Sequence, residues 1–259
     1  MKRDLSFLSG LTDEDEVLLS KILNWAEMAQ EKYITKFSFF LDERQCALCE
    51  KVLDSVKFKD RIFWGGYDEA QRKVLCVKAP YSNVSYEDFP VTPLTFTFRK
   101  EDKLTHRDFL GALMSQMINR DCVGDIMVNE GKAAVFLMDT VAQDVIYSLN
   151  KIGRVGVKCE VGFDPAIKPQ ISFKEMNGTV ASLRIDCVAA LALRLSREKT
   201  AALIKSGALE INHVRTQRPD TAVNEGDSFS VRGYGKFLLR SINGRSNKDR
   251  SLITVCKYI

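Results

Sequence analysis

The chain has 259 residues, of which 45% are hydrophobic and 28% charged, and a formal net charge of +4. That length suits two or three small domains, and that composition excludes a disordered polymer. No apolar run approaches the eighteen or so residues that span a bilayer, and MKRDLSFLSG turns polar too soon for a secretory signal, so a cytoplasmic protein is expected without membrane contact. Seven cysteines, an odd number scattered among apolar residues, fit buried reduced thiols. Cys46 and Cys49 have ligand-like spacing, but they fall in an expected helix, no second pair follows, and His106 and His213 are the histidines available. A zinc site needs four ligands, so neither metal nor cofactor is expected.

Thr12 followed by Asp13, Glu14 and Asp15 is a helix start, with a capping hydroxyl and an acidic first turn. Val17, Leu18, Ile22, Trp25 and Met28 or Ala29 then predict one buried stripe of a helix ending near Lys32. Residues 35–40 alternate as a short strand with Phe37 and Phe39 on one side. Helical spacing returns from Asp42 or Glu43 to Val56, and residues 61–64 and 73–77 read as strands around a Gly65-Gly66-Tyr67 turn. These elements make an N-terminal α/β domain, residues 1–80. Gly65-Gly66 lacks the lysine and hydroxyl of a phosphate loop, so a turn is the expected reading. Residues 80–93, with three prolines, read as a link.

Residues 90–163 are better patterned. Strands are expected at 94–98, 125–128, 133–138 and 158–161, and helices at 106–118 and 142–152. Asn129-Glu130-Gly131 supplies the turn of a hairpin. The order βαββαβ predicts a ferredoxin-like sandwich, the topology also used by RNA-recognition modules. The third strand has one aromatic residue and no match to the base-stacking signature, so Phe96, Phe98 and Phe136 are expected in the core. Arg99, Lys100, Lys103 and Arg107 are expected as a solvated basic rim, with weak phosphate contacts as the alternative. Residues 165–169 read as a second linker, with a short strand near 171–173.

The last stretch is organised differently. Ile185, Val188, Ala189, Ala192 and Leu193 recur at helical spacing, Arg194-Leu195 forms a corner, and Ser196 caps a second helix that buries Leu203 and Ile204. Gly207 stops that helix, and strands are expected at 208–211 and 229–231. From residue 183 to 259 there are 14 Lys and Arg against 7 Asp and Glu, a net +7, while the other 182 residues carry 24 against 27, a net −3. A slightly acidic body thus carries a basic C-terminal module, residues 180–259, and the asymmetry points to a polyanion. Arg184 and Arg194 bracket the first helix, and Arg197, Lys199 and Lys205 lie on the second. Arg215, Arg218, Arg232 and Lys236 follow in the hairpin region. Such a surface neutralises phosphates and reads RNA shape rather than base identity. Asp186 and Asp227 are expected to pair or cap locally, and Tyr234 and Phe237 either to stack on bases or to pack in the core.

Arg184-x-Asp186, Ala190, Leu195-Ser196-Arg197, Leu203-Ile204-x-x-Gly207 and Gly226-Asp227 recur in register in one known module. The stretch resembles the α-L RNA-binding domain, the S-four type named after a small-subunit ribosomal protein. One departure is visible: the family usually has Val-Asn-Gly at the end of the first strand, and here Ile211-Asn212 is followed by His213. With Phe63-Trp64-Gly65-Gly66-Tyr67, Ala70, Arg72 and the 94–161 unit, nearly the whole chain resembles the YlmH family of bacterial S-four-domain proteins.

The fold class is therefore α+β in three small domains: an N-terminal α/β unit, a ferredoxin-like (RRM-like) middle domain and a C-terminal α-L RNA-binding domain. The resemblance implies a non-catalytic RNA-binding protein that associates with the large ribosomal subunit and tRNA in ribosome-associated quality control of stalled translation. The implied partners are ribosomal RNA, tRNA and ribosome-associated rescue factors, with a monomer expected. The alternative is an RNA-modifying enzyme, pseudouridine-synthase-like, that docks rRNA or tRNA on its basic domain. No catalytic constellation and no catalytic-domain signature appears in residues 1–170, which favours the first reading.

Overall fold

A computed structural model describes residues 8, 11–169, 173–212, 214–246 and 249–258. His213 and residues 171 and 172, which carried sequence expectations, lie outside the described residues. The chain divides into two compact units, with the boundary along the sequence near residue 170.

In the first unit, helix α1 (Asp13–Lys32) begins where expected. Thr12 and Asp15 form a reciprocal capping box, the Asp15 N–H donating to Thr12 Oγ1 at 3.2 Å and the Thr12 N–H to Asp15 Oδ2 at 2.7 Å. Its buried face is Leu19, Ile22, Leu23, Ala26 and Ala29, whereas Val17 is 70% exposed. The expected stripe was rotated because Asp15, turned inward, accepts two 2.7 Å hydrogen bonds from Arg44.

Strand β1 (Lys36–Leu41), helix α2 (Glu43–Ser55) and strands β2 (Arg61–Trp64) and β3 (Lys73–Val77) follow, in an antiparallel sheet ordered β1-β3-β2. An irregularity in β1 between Phe37 and Phe40 breaks the expected alternation: Phe40 is buried and Phe39 exposed. Strand β4 (Val91–Thr97) is reached through a short 3-10 turn. Helix α3 (His106–Ser115), strands β5 (Val123–Asn129) and β6 (Lys132–Met138) and helix α4 (Asp139–Ser148) come next.

Helix α4 stops four residues short of expectation. Residues 151–156 instead form a tight hairpin, β7 (Lys151–Ile152) and β8 (Val155–Gly156), around Gly153 at φ 58°. Strand β9 (Lys158–Val161) completes an antiparallel sheet ordered β5-β6-β4-β9. This is the strand order of a ferredoxin-like sandwich, with the small hairpin inserted before its last strand. The regions expected as two domains share one core in which Phe40, Val74 and Cys76 cluster with Phe89, Leu94 and Phe136.

The second unit runs through β10 (Phe173–Val180), α5 (Ile185–Leu193), α6 (Arg197–Lys205), β11 (Leu209–Ile211) and β12 (Val214–Thr216). It ends with β13 (Ser228–Val231), β14 (Gly235–Arg245) and β15 (Ser251–Tyr258). The sheet has six strands ordered β10-β15-β14-β13-β11-β12, far more than a hairpin, and β10 begins before the expected boundary at 180. One face of it buries Leu209, Phe229, Val231, Phe237, Leu239 and Val255 against Ile185, Val188 and Ile204 of the two helices. Phe237, 1% exposed, is therefore core and not a stacking platform, whereas Tyr234 is 38% exposed.

Candidate nucleic-acid interface

The two helices of the second unit are joined by a tight corner. Arg194 takes φ 55°, and its amide closes α5 on the carbonyls of Ala190 and Leu191. Ser196 accepts from the Lys199 N–H at 3.3 Å and so caps α6. Helix α6 ends at Gly207, whose φ of +74° suits a residue without a Cβ. Strands β11 and β12 pair in register, and Asn212 takes the left-handed conformation (φ 46°) next to the position where the α-L pattern has glycine. Asn212 also donates to Asp227 Oδ1 at 2.7 Å and accepts from the Ser228 N–H at 2.9 Å, tying the turn to β13.

Two of the expected arginines converge on one carboxylate. Asp186, in the first turn of α5, is 4% exposed. Its Oδ2 accepts from Arg197 Nε at 3.2 Å and Nη2 at 2.7 Å, and from Arg184 Nη2 at 3.4 Å. Burial alone would raise the Asp186 pKa, but the hydrogen bond and charge of Arg197 outweigh it and hold the carboxyl below its ordinary value. The same hydrogen bond raises Arg197. Both arginine side chains remain about half exposed, 42% for Arg184 and 54% for Arg197.

Arg215 and Arg232 come together at a second place, a depression of about 280 Å³ shared with Gly207, Ala208, Glu210 and Ser230. Arg215, Glu210, Ser230 and Lys236 are successive cross-strand partners, hence on one face of the sheet. Lys236 lies 5.1 Å over the ring of Tyr258. Arg194, Lys199 and Lys205 are exposed at the corner and along α6. Arg218 is set apart and pairs with Asp220 at 3.4 Å. Sequence reasoning passed over Arg240, Arg245 and Arg250, because β14 and β15 were not foreseen. They bind Glu175, Asp249 and the Thr179 carbonyl respectively.

The first unit is built otherwise. The sheet face that RNA-recognition modules use for stacking is covered here from within the unit. Phe136, fully buried, stacks on Tyr67 at 5.1 Å and meets Phe163 at 5.3 Å, and a Cβ on Gly66 would run into its ring. Gly65 and Gly66 thus serve close packing and a left-handed turn (φ +100° at Gly66), as expected of a turn rather than a phosphate loop. Asp125 locks that turn by accepting from Tyr67 Oη at 2.8 Å and from the Gln71 and Arg72 N–H groups at 2.7 and 3.1 Å. Arg72 donates to the carbonyls of Val123 (2.9 Å), Phe40 (3.2 Å) and Arg120 (3.4 Å), while Arg120 also reaches Val123 and Gly124. Burial lowers the pKa of both, that of Arg120 to about 10 with help from the neighbouring Arg72 charge.

Of the basic rim, Arg99 pairs with Asp102 at 2.9 Å, and Lys100, Lys103 and Arg107 are exposed. Arg107 and Lys151 border an open groove of about 550 Å³ with Gly111, Ser115 and Ser148.

Among the described residues, no cluster of three or more His, Cys, Asp or Glu is placed to hold a metal ion, and no helix is long and apolar enough to cross a membrane. Burial pushes the Cys46 thiol up to about 12, and Cys49 rises as well, so neither is a ready thiolate ligand.

A family model described as "Putative RNA-binding domain in YlmH" matches residues 85–162, the region of the second sheet. A Bacillus subtilis protein named "Ribosome-associated protein quality control protein P2" is 31% identical over 245 residues, covering 93% of this chain and 94% of its own length. In fold, the chain resembles the solved structure titled "Cell division protein ylmH from Streptococcus pneumoniae", with a TM-score of 0.51 and 22% identity over 60% of this chain and 94% of that one. With such identity sustained almost end to end, the chain belongs to the YlmH family.

Proposed function

We propose that this protein is a non-catalytic RNA-binding factor that associates with the large ribosomal subunit and tRNA and acts in ribosome-associated quality control. The observation that carries the RNA-binding reading is the outward set of basic side chains on residues 180–259, which we take as an α-L-type module. Arg184 and Arg197 share one carboxylate there, Arg215 and Arg232 share one depression, and Arg194, Lys199 and Lys205 lie exposed beside them. Arg218 and Lys236 extend the same proposed surface. Cations so placed release counterions from phosphates, so binding weakens steeply with salt. The ribosomal setting is supported by the name of the Bacillus subtilis relative. The family model's description supports a second RNA contact in residues 85–162. With Phe136 covered, such a contact uses the rim or the Arg107–Lys151 groove rather than the sheet face.

Co-sedimentation with purified large ribosomal subunits at increasing salt tests the reading. Lys205→Glu combined with Arg232→Glu changes two exposed residues and is expected to weaken binding strongly and to make its salt slope shallower, without altering the melting temperature. Retention of wild-type sedimentation by this variant contradicts it. An RNA-modifying activity, sought by mass spectrometry of rRNA and tRNA after incubation, is expected to be absent.

A further inference from the structure

We infer that Asp186 is a positioning residue, which fixes Arg184 and Arg197 as a paired guanidinium clamp for one RNA phosphate. The inference rests on the proposed RNA-binding function and assigns part of that surface a defined chemistry. The two arginines come from different elements, one capping α5 and one opening α6. Without a shared anchor, two long cationic side chains repel and sample many rotamers.

Asp186 removes that freedom. Arg197 presents its Nε and Nη2 edge to Oδ2 at 3.2 and 2.7 Å, and Arg184 reaches the same oxygen through Nη2 at 3.4 Å. A guanidinium has five N–H donors, and this pairing leaves those on Nη1 of each arginine directed elsewhere. The carboxylate is 4% exposed while both arginines are about half exposed, so the anchor is inside and much of each guanidinium-bearing side chain remains open to a ligand. The group as a whole carries one net positive charge, with planar donors suited to bidentate phosphate contact. Arg184 is the looser arm: its Nε faces Asp186 Oδ1 at 3.3 Å, and both atoms are buried without a hydrogen bond.

An ordinary structural ion pair makes a different prediction from a clamp. Asp186→Asn keeps both arginines and raises the net charge by one unit, so charge alone requires equal or tighter RNA binding. The clamp requires the opposite. We expect Asp186→Asn to bind purified large ribosomal subunits about tenfold more weakly, as befits lost charge-assisted hydrogen bonds. The slope of log affinity against log salt is expected to fall in magnitude by roughly one, as when a single phosphate contact is lost.

Should Asp186→Asn melt below the assay temperature, Arg197→Lys decides. It preserves the charge and leaves the buried position untouched but removes the planar fork, and about fivefold weaker binding with the same smaller slope is expected. Arg184→Lys is expected to have the smaller effect of the two. Wild-type or tighter binding by Asp186→Asn, or unchanged affinity and slope for Arg197→Lys, overturns the inference while leaving the proposed function standing. Failure of the unmodified protein to bind large subunits removes both.

Discussion

The arginines of the two units are used in opposite ways. In the first unit, Arg72 and Arg120 turn inward and donate to backbone carbonyls of Phe40, Val123 and Gly124, holding the Gly65-Gly66-Tyr67 turn and β5 to one another. In the second, Arg184, Arg197, Arg215 and Arg232 keep much of their surface in water and share few carboxylates. Counting charges along the chain detects the second use and is blind to the first. A net charge of +7 over residues 183–259 matters because those cations are exposed, not merely because they are numerous.

The comparison breaks if the inward arginines of the first unit, Arg72 and Arg120, govern RNA binding, or if the outward arginines of the second govern stability. Arg72→Ala strands several partly buried carbonyls, and we expect a loss of about 3 kcal/mol in chemical denaturation. RNA affinity of the remaining folded protein is expected to be unchanged. Gly66→Ala combines a left-handed φ with a clash against Phe136, and about 2 kcal/mol of destabilisation is expected from the same measurement.

Asp15 sharpens the point through pH. Burial raises its pKa, but the Arg44 ion pair and the Thr12 hydrogen bonds win and lower it from 3.8 to about 2. A carboxylate with a depressed folded pKa stabilises fully above its unfolded value and loses that stabilisation as pH falls through the folded one. Melts of the wild type are therefore expected to lose at most about 2 kcal/mol between pH 4 and pH 2 from this residue, and Asp15→Asn to flatten that part of the profile. At the small end, Arg218→Ala removes only an exposed pair with Asp220, and its melting temperature is expected to stay within about 1 °C of wild type. A larger drop would give Arg218 a structural duty that its exposed pair with Asp220 does not account for.

Local signals made much of this legible in the sequence. The Thr12 and Asp42 capping boxes mark their helix starts, and β2, β3 and β9 fall on the expected residues because each is a short run bounded by turns. The misreadings have long-range causes. Asp15 faces inward only because Arg44 arrives from 29 residues away, and that rotates the buried stripe of α1. The irregularity in β1 exchanges Phe39 for Phe40 in the core. Strand β14 has register shifts after Leu239 and Ile242, so its alternation is too broken to read, and with it went the six-stranded sheet.

At the candidate site, the sequence supplied the arginines and a local role for Asp186 but not their convergence. Arg184 and Arg197 are neighbours only through the α5–α6 corner at Arg194. Coverage of Phe136 by Tyr67 and Phe163 was likewise invisible, since the three residues are far apart in sequence.

The central claim, that RNA is bound by the exposed cations of the second unit, is tested most directly by the salt dependence of binding to purified large ribosomal subunits. Wild type is to be compared with the Lys205→Glu, Arg232→Glu double variant and with Arg72→Ala. The account predicts a steep salt slope for wild type and for folded Arg72→Ala, and much weaker binding with a shallower slope for the double variant. A double variant that binds like wild type, or an Arg72→Ala variant that folds but does not bind, would contradict it.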